Sequence, residues 1–300
     1  MRLPHLIVAL ALLATPTLHA QQPLAAITSD PTPDKANPAK FVTFQLPSHG
    51  SLLNAIVYVA AGAGPHPTVV LLHGFPGNER NLDLAQSLRR AGWNVLYFNY
   101  RGAWGSPGDF SFTHCLEDAQ SAIAYLRDPE NAKKLRTDPA NIVLVGHSMG
   151  GFVARYVGAH DPAIKAIVLI SAADMVGRAA TLKPGTESYA IPIIAKGLAA
   201  EGMAPLAGCT PESLAKEVIA NAADWTPLPL APKLATRPLL VLTSDDGLAP
   251  SNDAVVAAVK QAGSKQVQTL HFTTDHSYSD QRIALQQSVL TFLAPLKPAN

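Results

Sequence analysis

Gly146-His147-Ser148-Met149-Gly150-Gly151 sets a serine among glycines where an apolar run, 142–145, gives way to a helix-forming stretch, 152–157. A serine hydroxyl is a weak nucleophile at neutral pH. It needs exposure at a sharp turn, a base to take its proton, and donors for the oxyanion that its attack creates. The Gly-x-Ser-x-Gly spacing meets the first need, because Gly146 and Gly150 remove side chains that would clash in a strained strand-to-helix turn. Gly151 lets the new helix pack close to the strand it leaves. A bare glycine-serine cluster can also be only a turn. The strand before Ser148 and the helix after it favour the nucleophile.

The serine's partners are sought beyond later strands. The run 239–242 continues through Thr243-Ser244 into Asp245-Asp246-Gly247-Leu248-Ala249-Pro250, so a carboxylate stands at a strand end. Asp246 is chosen as the acid because the tight turn follows it directly and leaves Asp245 more exposed; Asp245 and Asp174 stay as alternatives. His276 lies in the loop Thr273-Thr274-Asp275-His276-Ser277 past the last strand, whereas His271 lies inside that strand, where packing is its ordinary role. His276 would take the Ser148 proton and pass it to the leaving group, with Asp246 fixing its tautomer. Two backbone amides would hold the oxyanion, that of Met149 after the serine and that of Phe75 in His73-Gly74-Phe75-Pro76-Gly77. Phe75-Pro76 is a candidate cis bond.

These residues need strand ends to stand on. Runs 41–46 and 52–60, joined by Ser48-His49-Gly50-Ser51, read as an antiparallel hairpin. Runs 69–72, 95–98, 142–145, 167–170, 239–242 and 267–272 are short and apolar or β-branched, mostly of the type buried in parallel sheets. Between them lie amphipathic faces: Leu84 with Leu88 and Ala91; Leu116 with Ala119, Ile123 and Leu126; Val255 with Ala258 and Val259; Leu285 with Val289 and Phe292. The alternation predicts an α/β fold, a doubly wound and mostly parallel sheet of about eight strands with its sites at the strands' C-terminal ends. One interruption, 174–237, is too long for a plain connection and reads as a helical cap insertion. Ile191, Ile193, Ile194, Leu198, Met203 and Leu206 are its candidates to face a pocket. The catalytic domain is then 41–173 with 238–300.

Composition narrows the function classes. With 48% hydrophobic residues, 15% charged residues and a net charge of +1 over 300 residues, the chain has the mass for one sizeable core and no basic patch for nucleic acid. Met1-Arg2, the apolar stretch 6–14 and Leu18-His19-Ala20 read as a signal peptide, 1–20, that is removed on export to the periplasm or medium. Its apolar run is too short to span a bilayer, so no stable membrane insertion is expected after removal. Residues 21–40, rich in Pro, Ala, Thr and Asp without periodicity, are expected to be a poorly ordered lead-in. Cys115 and Cys209 form either one bridge pinning the cap or two free thiols. No cofactor is implied, and His73, His114, His147 and His160 lack metal-ligand spacing.

The set His73-Gly74-Phe75-Pro76-Gly77, Gly146-His147-Ser148-Met149-Gly150-Gly151, Asp246 and His276, in that order, resembles the α/β-hydrolase superfamily from residue 41 onward, cap excepted. Asp275-His276-Ser277-Tyr278-Ser279-Asp280 and Tyr100-Arg101-Gly102 are similar to branches that include carboxylesterases and prolyl-oligopeptidase-like hydrolases. Serine at 148 argues against the dehalogenases and epoxide hydrolases, which the resemblance says use an aspartate there. The resemblance implies a serine hydrolase for a small-molecule ester, through an acyl-enzyme, with an apolar cap suited to an acyl chain or aromatic acid. A peptidase for short peptides is the alternative, with Glu187 or Glu201 as the handle for a substrate amino terminus. A binding protein that kept the fold without the chemistry is a third reading, disfavoured by the complete residue set. Acyl preference and oligomeric state are not set by the sequence.

Overall fold

The computed structural model describes residues 24–297 apart from Pro184, so the expected signal segment, 1–20, lies outside the described residues. Eight strands form one sheet: β1 (Lys40–Ser48), β2 (Ser51–Val59), β3 (His66–Leu72), β4 (Asn94–Phe98), β5 (Thr137–His147), β6 (Ala166–Ile170), β7 (Leu239–Ser244) and β8 (Val267–Phe272). Their order is β1-β2-β4-β3-β5-β6-β7-β8. β1 pairs antiparallel with β2, and β2 with β4; every other pair is parallel. The hairpin turns on His49 and Gly50, both at positive φ, as a two-residue hairpin turn of the primed type requires.

Period-two alternation divides each central strand between two cores. Val70 and Leu72 of β3 pack on the side that holds Leu116, Ile123, Phe152 and Val157, while Val69 and Leu71 pack against Leu84, Leu88, Leu285 and Val289. The helices Phe112–Arg127 and Met149–His160 therefore cover one face, and Leu82–Arg90 and Arg282–Leu293 the other. β3, β4 and β6 are buried at every residue. β8 departs from the expectation of a buried strand: its four middle residues are exposed, because it ends the sheet and its Gln268, Thr269 and His271 have no layer over them.

Two segments bear on how the site is held. Arg101 donates through Nε to Asp118 Oδ1 at 2.6 Å, and the fully buried Asp118 also accepts from the Arg101 amide at 2.8 Å and from Ser48 Oγ at 2.6 Å. This ties the loop after β4 to the hairpin and to the helix Phe112–Arg127, and it gives the Tyr100-Arg101-Gly102 stretch a structural role. The second segment is the lead-in. Residues 24–39, expected to be poorly ordered, lie against the body: Arg90 Nε donates to Ala26 O at 2.6 Å, Arg136 Nη2 to Pro38 O at 2.9 Å, and the Gly62 amide to Asn37 O at 2.9 Å. Arginines that grip backbone carbonyls order a segment without leaving any apolar periodicity in it.

Between β6 and β7 the chain forms the helices Glu187–Ala200 and Pro211–Ala220, with shorter turns around them. The Glu217 carboxylate, on the second of these, accepts from the Phe112 amide at 3.0 Å, the Thr113 amide at 2.8 Å and Thr113 Oγ1 at 2.7 Å. It therefore satisfies donors at the start of the helix Phe112–Arg127 that the helix itself leaves open. Cys115 and Cys209 are free thiols. Among the described residues no helix is long and apolar enough to cross a membrane.

Candidate active site

Ser148 stands between the end of β5 and the helix Met149–His160 with φ 57° and ψ −122°, a backbone conformation that a serine holds only when its surroundings enforce it. They do so through the backbone. The Ser148 amide donates to Ile170 O at 2.9 Å, and its carbonyl accepts from Gly151 at 2.9 Å and Ala173 at 2.8 Å. The two flanking glycines are required by space: a Cβ on Gly146 would lie 2.0 Å from Gly150 O, and one on Gly150 would lie 2.1 Å from Leu72 O. Met149 is the first residue of the helix, so its amide belongs to the donors that no intrahelical carbonyl can reach.

His276 follows β8 and turns back over the sheet. Its Nδ1–H donates to Asp246 Oδ2 at 2.7 Å. The Asp246 side chain is 5% exposed, and its Oδ1 accepts from the Leu248 amide at 2.9 Å. Burial pushes the Asp246 carboxyl up, but the His276 ring, the Leu248 amide and the Ser171 and Ser244 hydroxyls outweigh it and hold the group well below the usual carboxylate range. The group therefore stays charged and able to hold one His276 tautomer.

The rivals are occupied elsewhere. Asp245, 55% exposed, pairs with His271 Nε2 at 3.0 Å on the open edge of the sheet. Asp174 Oδ1 accepts the Val176 and Gly177 amides at 3.3 and 3.0 Å, which closes a local turn.

Two further histidines serve the frame. Burial lowers His147 to about 4, with the His276 ring 4.7 Å away adding to the effect, so His147 is neutral at pH 7. Its Nε2–H donates to His276 O at 2.8 Å and pins the backbone of His276, a bond with no mark in the sequence beyond the position before Ser148. His73, also lowered to about 4 by burial, donates from Nδ1 to Gly74 O at 2.8 Å. The loop it opens carries the cis Phe75-Pro76 bond, and Trp104 Nε1 donates to Pro76 O at 2.8 Å.

Ser148, His276, Phe75, His147 and Glu201 line one cavity of about 150 Å³. Ligand pockets are commonly roughly 300 to 1,000 Å³, so this one suits a small group. A larger cleft, about 670 Å³, lies between β8 and the helix Arg282–Leu293, but it holds neither the strained serine nor the histidine–aspartate pair. Ile191, Ile193, Ile194, Leu198, Met203 and Leu206, expected to face the pocket, do not line it. Ile194, Leu198, Met203 and Leu206 pack onto the core instead, and Ile193 is 70% exposed. The insertion reaches the cavity through Glu201; Glu187 does not. Among the described residues no three His, Cys, Asp or Glu side chains gather to hold a metal ion.

The model of the alpha/beta hydrolase family matches residues 69–287, most of the sheet and the whole candidate site. The chain belongs to the alpha/beta hydrolase family. A protein of Mycobacterium tuberculosis with no assigned function is 32% identical over 106 residues, 35% of this chain and 36% of that one, so this chain spans little more than a third of that relative. Among solved structures, EstE1, a thermostable carboxylesterase from a metagenomic library, superposes with a TM-score of 0.60 at 22% identity, covering 91% of this chain and 93% of its own. Est1E of Butyrivibrio proteoclasticus, solved with ferulic acid, gives 0.65 at 23% identity over 84% and 98%. At such identities the likeness speaks for the fold. The eight-stranded, mostly parallel sheet with flanking helices is the α/β-hydrolase fold.

Proposed function

We propose that this hydrolase cleaves carboxylic esters of small acids through an acyl-enzyme on Ser148. The observation that carries the reading is the pairing of a buried, charged Asp246 with His276, which lines the same cavity as a serine held at positive φ. In the reaction the Ser148 oxygen attacks the ester carbonyl carbon as His276 Nε2 takes its proton. The Phe75 and Met149 amides donate to the oxyanion. Collapse breaks the bond to the alcohol oxygen, which leaves with the His276 proton. Water, deprotonated by His276, then releases the acid and restores Ser148. The cavity volume favours short acyl groups over the long chains that an apolar cap would suit.

A peptidase is the second reading, and one feature favours it: Glu201 presents a carboxylate to the catalytic cavity, where a substrate ammonium group could pair with it. Turnover of p-nitrophenyl esters from acetate to palmitate, beside aminoacyl p-nitroanilides, separates the two. Ester turnover highest at acetate or butyrate and absent in Ser148→Ala is the expected result. Amide turnover without comparable ester turnover gives the site to peptides. Export belongs to the same proposal. Terminal sequencing of protein from the periplasm or medium should begin at Gln21, and a chain that keeps Met1 in the cytoplasm rejects it.

A further inference from the structure

Behind the carboxylate of Asp246 lie three hydroxyls that the mechanism above does not use. Ser171 Oγ is 3.0 Å from Ser244 Oγ and 3.1 Å from the Tyr278 hydroxyl. Ser171 and Tyr278 are fully buried and Ser244 is 1% exposed. They come from three separate elements: Ser171 directly follows β6, Ser244 ends β7, and Tyr278 lies in the loop after β8, two residues beyond His276. We propose that Tyr278 is a positioning residue which, through Ser171 and Ser244, aims hydroxyl protons at Asp246 and so fixes the acid that holds His276. The proposal rests on the reading of Ser148, His276 and Asp246 as the reacting set.

Two observations set this group apart from ordinary core packing. The first is backbone strain. Seven non-glycine residues among those described have positive φ, and Ser148, Ser171 (φ 42°) and Tyr278 (φ 57°) are three of them, so left-handed backbone gathers at the site. Such conformations persist only where the surroundings hold them. The second is proton direction. A carboxylate accepts and never donates, so a hydroxyl chain that ends on Asp246 has its polarity fixed at that end. At the far end, burial pushes the Tyr278 phenol up to about 12, so it keeps a proton to donate throughout the working range. In the proposed arrangement its proton goes to Ser171 Oγ, 3.1 Å away, which leaves the serine protons to point onward.

The titratable groups facing Asp246 are His276, the neutral His147 and Tyr278, while Asp245 is turned to His271. With the Leu248 amide on Oδ1 and His276 on Oδ2, the hydroxyls complete the ring of donors. Donors on the carboxylate lower its basicity. Their loss lets the Asp246–His276 pair take up a proton at higher pH, which moves the acid limb of activity upward.

The test combines Tyr278→Phe, Ser171→Ala and the double variant. Tyr278→Phe keeps the ring that packs edge-on against Phe272, so its fold is preserved, and thermal melts check this. The rate of Ser148 labelling by a fluorophosphonate is followed against pH, beside kcat and KM for p-nitrophenyl acetate. Each single variant should lose about tenfold in kcat and in labelling rate, the size of one lost hydrogen bond to a charge, with KM little changed. The acid limb should move up by about half a pH unit or more. Because the phenol acts through Ser171, the double variant should be no slower than Ser171→Ala alone. Unchanged labelling rates and pH limbs, or losses that simply multiply in the double variant, overturn the proposal. If Ser148 of the unaltered protein takes no label, the nucleophile reading fails first, and the two failures are told apart.

Discussion

His276 with Asp246 and His271 with Asp245 are two histidine–carboxylate pairs drawn from the same two stretches of chain, at 2.7 Å and 3.0 Å. The residue types match and the distances nearly do. What differs is the setting of the acid: Asp246 is 5% exposed and ringed by donors, whereas Asp245 is 55% exposed beside an open sheet edge. An exposed pair is screened by water and free to rearrange, so it contributes little. A buried acid with its oxygens fully engaged keeps its charge and its direction, which is what a proton-transferring histidine needs. Proximity alone makes a pair; desolvation is what sets these two apart.

The contrast can be broken by exchanging the same substitutions between the two pairs. His276→Ala should lower kcat/KM on short p-nitrophenyl esters by roughly ten-thousandfold, since it removes the group proposed to take the serine proton. Asp246→Asn should cost about a thousandfold, with binding of substrate little affected. A loss confined to KM in either variant would move the base or the acid elsewhere.

The third effect is on stability. The folded pKa of Asp246 lies below its value in the unfolded chain, near ~3.9, so its ionisation stabilises the fold fully above that value and progressively less as the pH falls toward the folded pKa. Urea melts of wild type and Asp246→Asn should therefore differ by a constant gap from pH 7 down to about pH 4, and that gap should narrow as the pH falls further, with most of it still present at about pH 3. A gap independent of pH would show that the charge plays no part. Smallest of all, His271→Ala and Asp245→Asn should leave kcat/KM within about twofold and stability within about 1 kcal/mol. A loss from either that approaches the Asp246 variant would erase the distinction between the pairs.

The sequence made Ser148, Asp246 and His276 visible because each sits at a strand end, and strand ends show as apolar runs that stop at glycine, proline or aspartate. Its choice of Asp246 over Asp245 used the Gly247 turn, and the structure gives that turn a physical form in the Leu248 amide bonded to Asp246. Ser171, Ser244 and Tyr278 were out of reach, because their hydroxyls meet only after three parallel strands are laid side by side. The same limit misplaced Ile193: helical periodicity identifies a face but not what lies opposite, and here nothing does. The bonds from Arg90 and Arg136 to the carbonyls of Ala26 and Pro38 were out of reach for the complementary reason, since those arginines lie in distant elements.

Glu217 carries a consequence for exchanging parts between relatives. Because its carboxylate finishes the start of the helix Phe112–Arg127, the stretch between β6 and β7 is not a cassette that can be lifted out or traded for another lid. A chimera carrying a foreign insertion would inherit two naked amides and the vacated seats of Leu214, Val218 and Trp225, side chains that now count among the buried core. Grafts meant to change what this scaffold hydrolyses therefore have to bring their own acidic residue to that one spot.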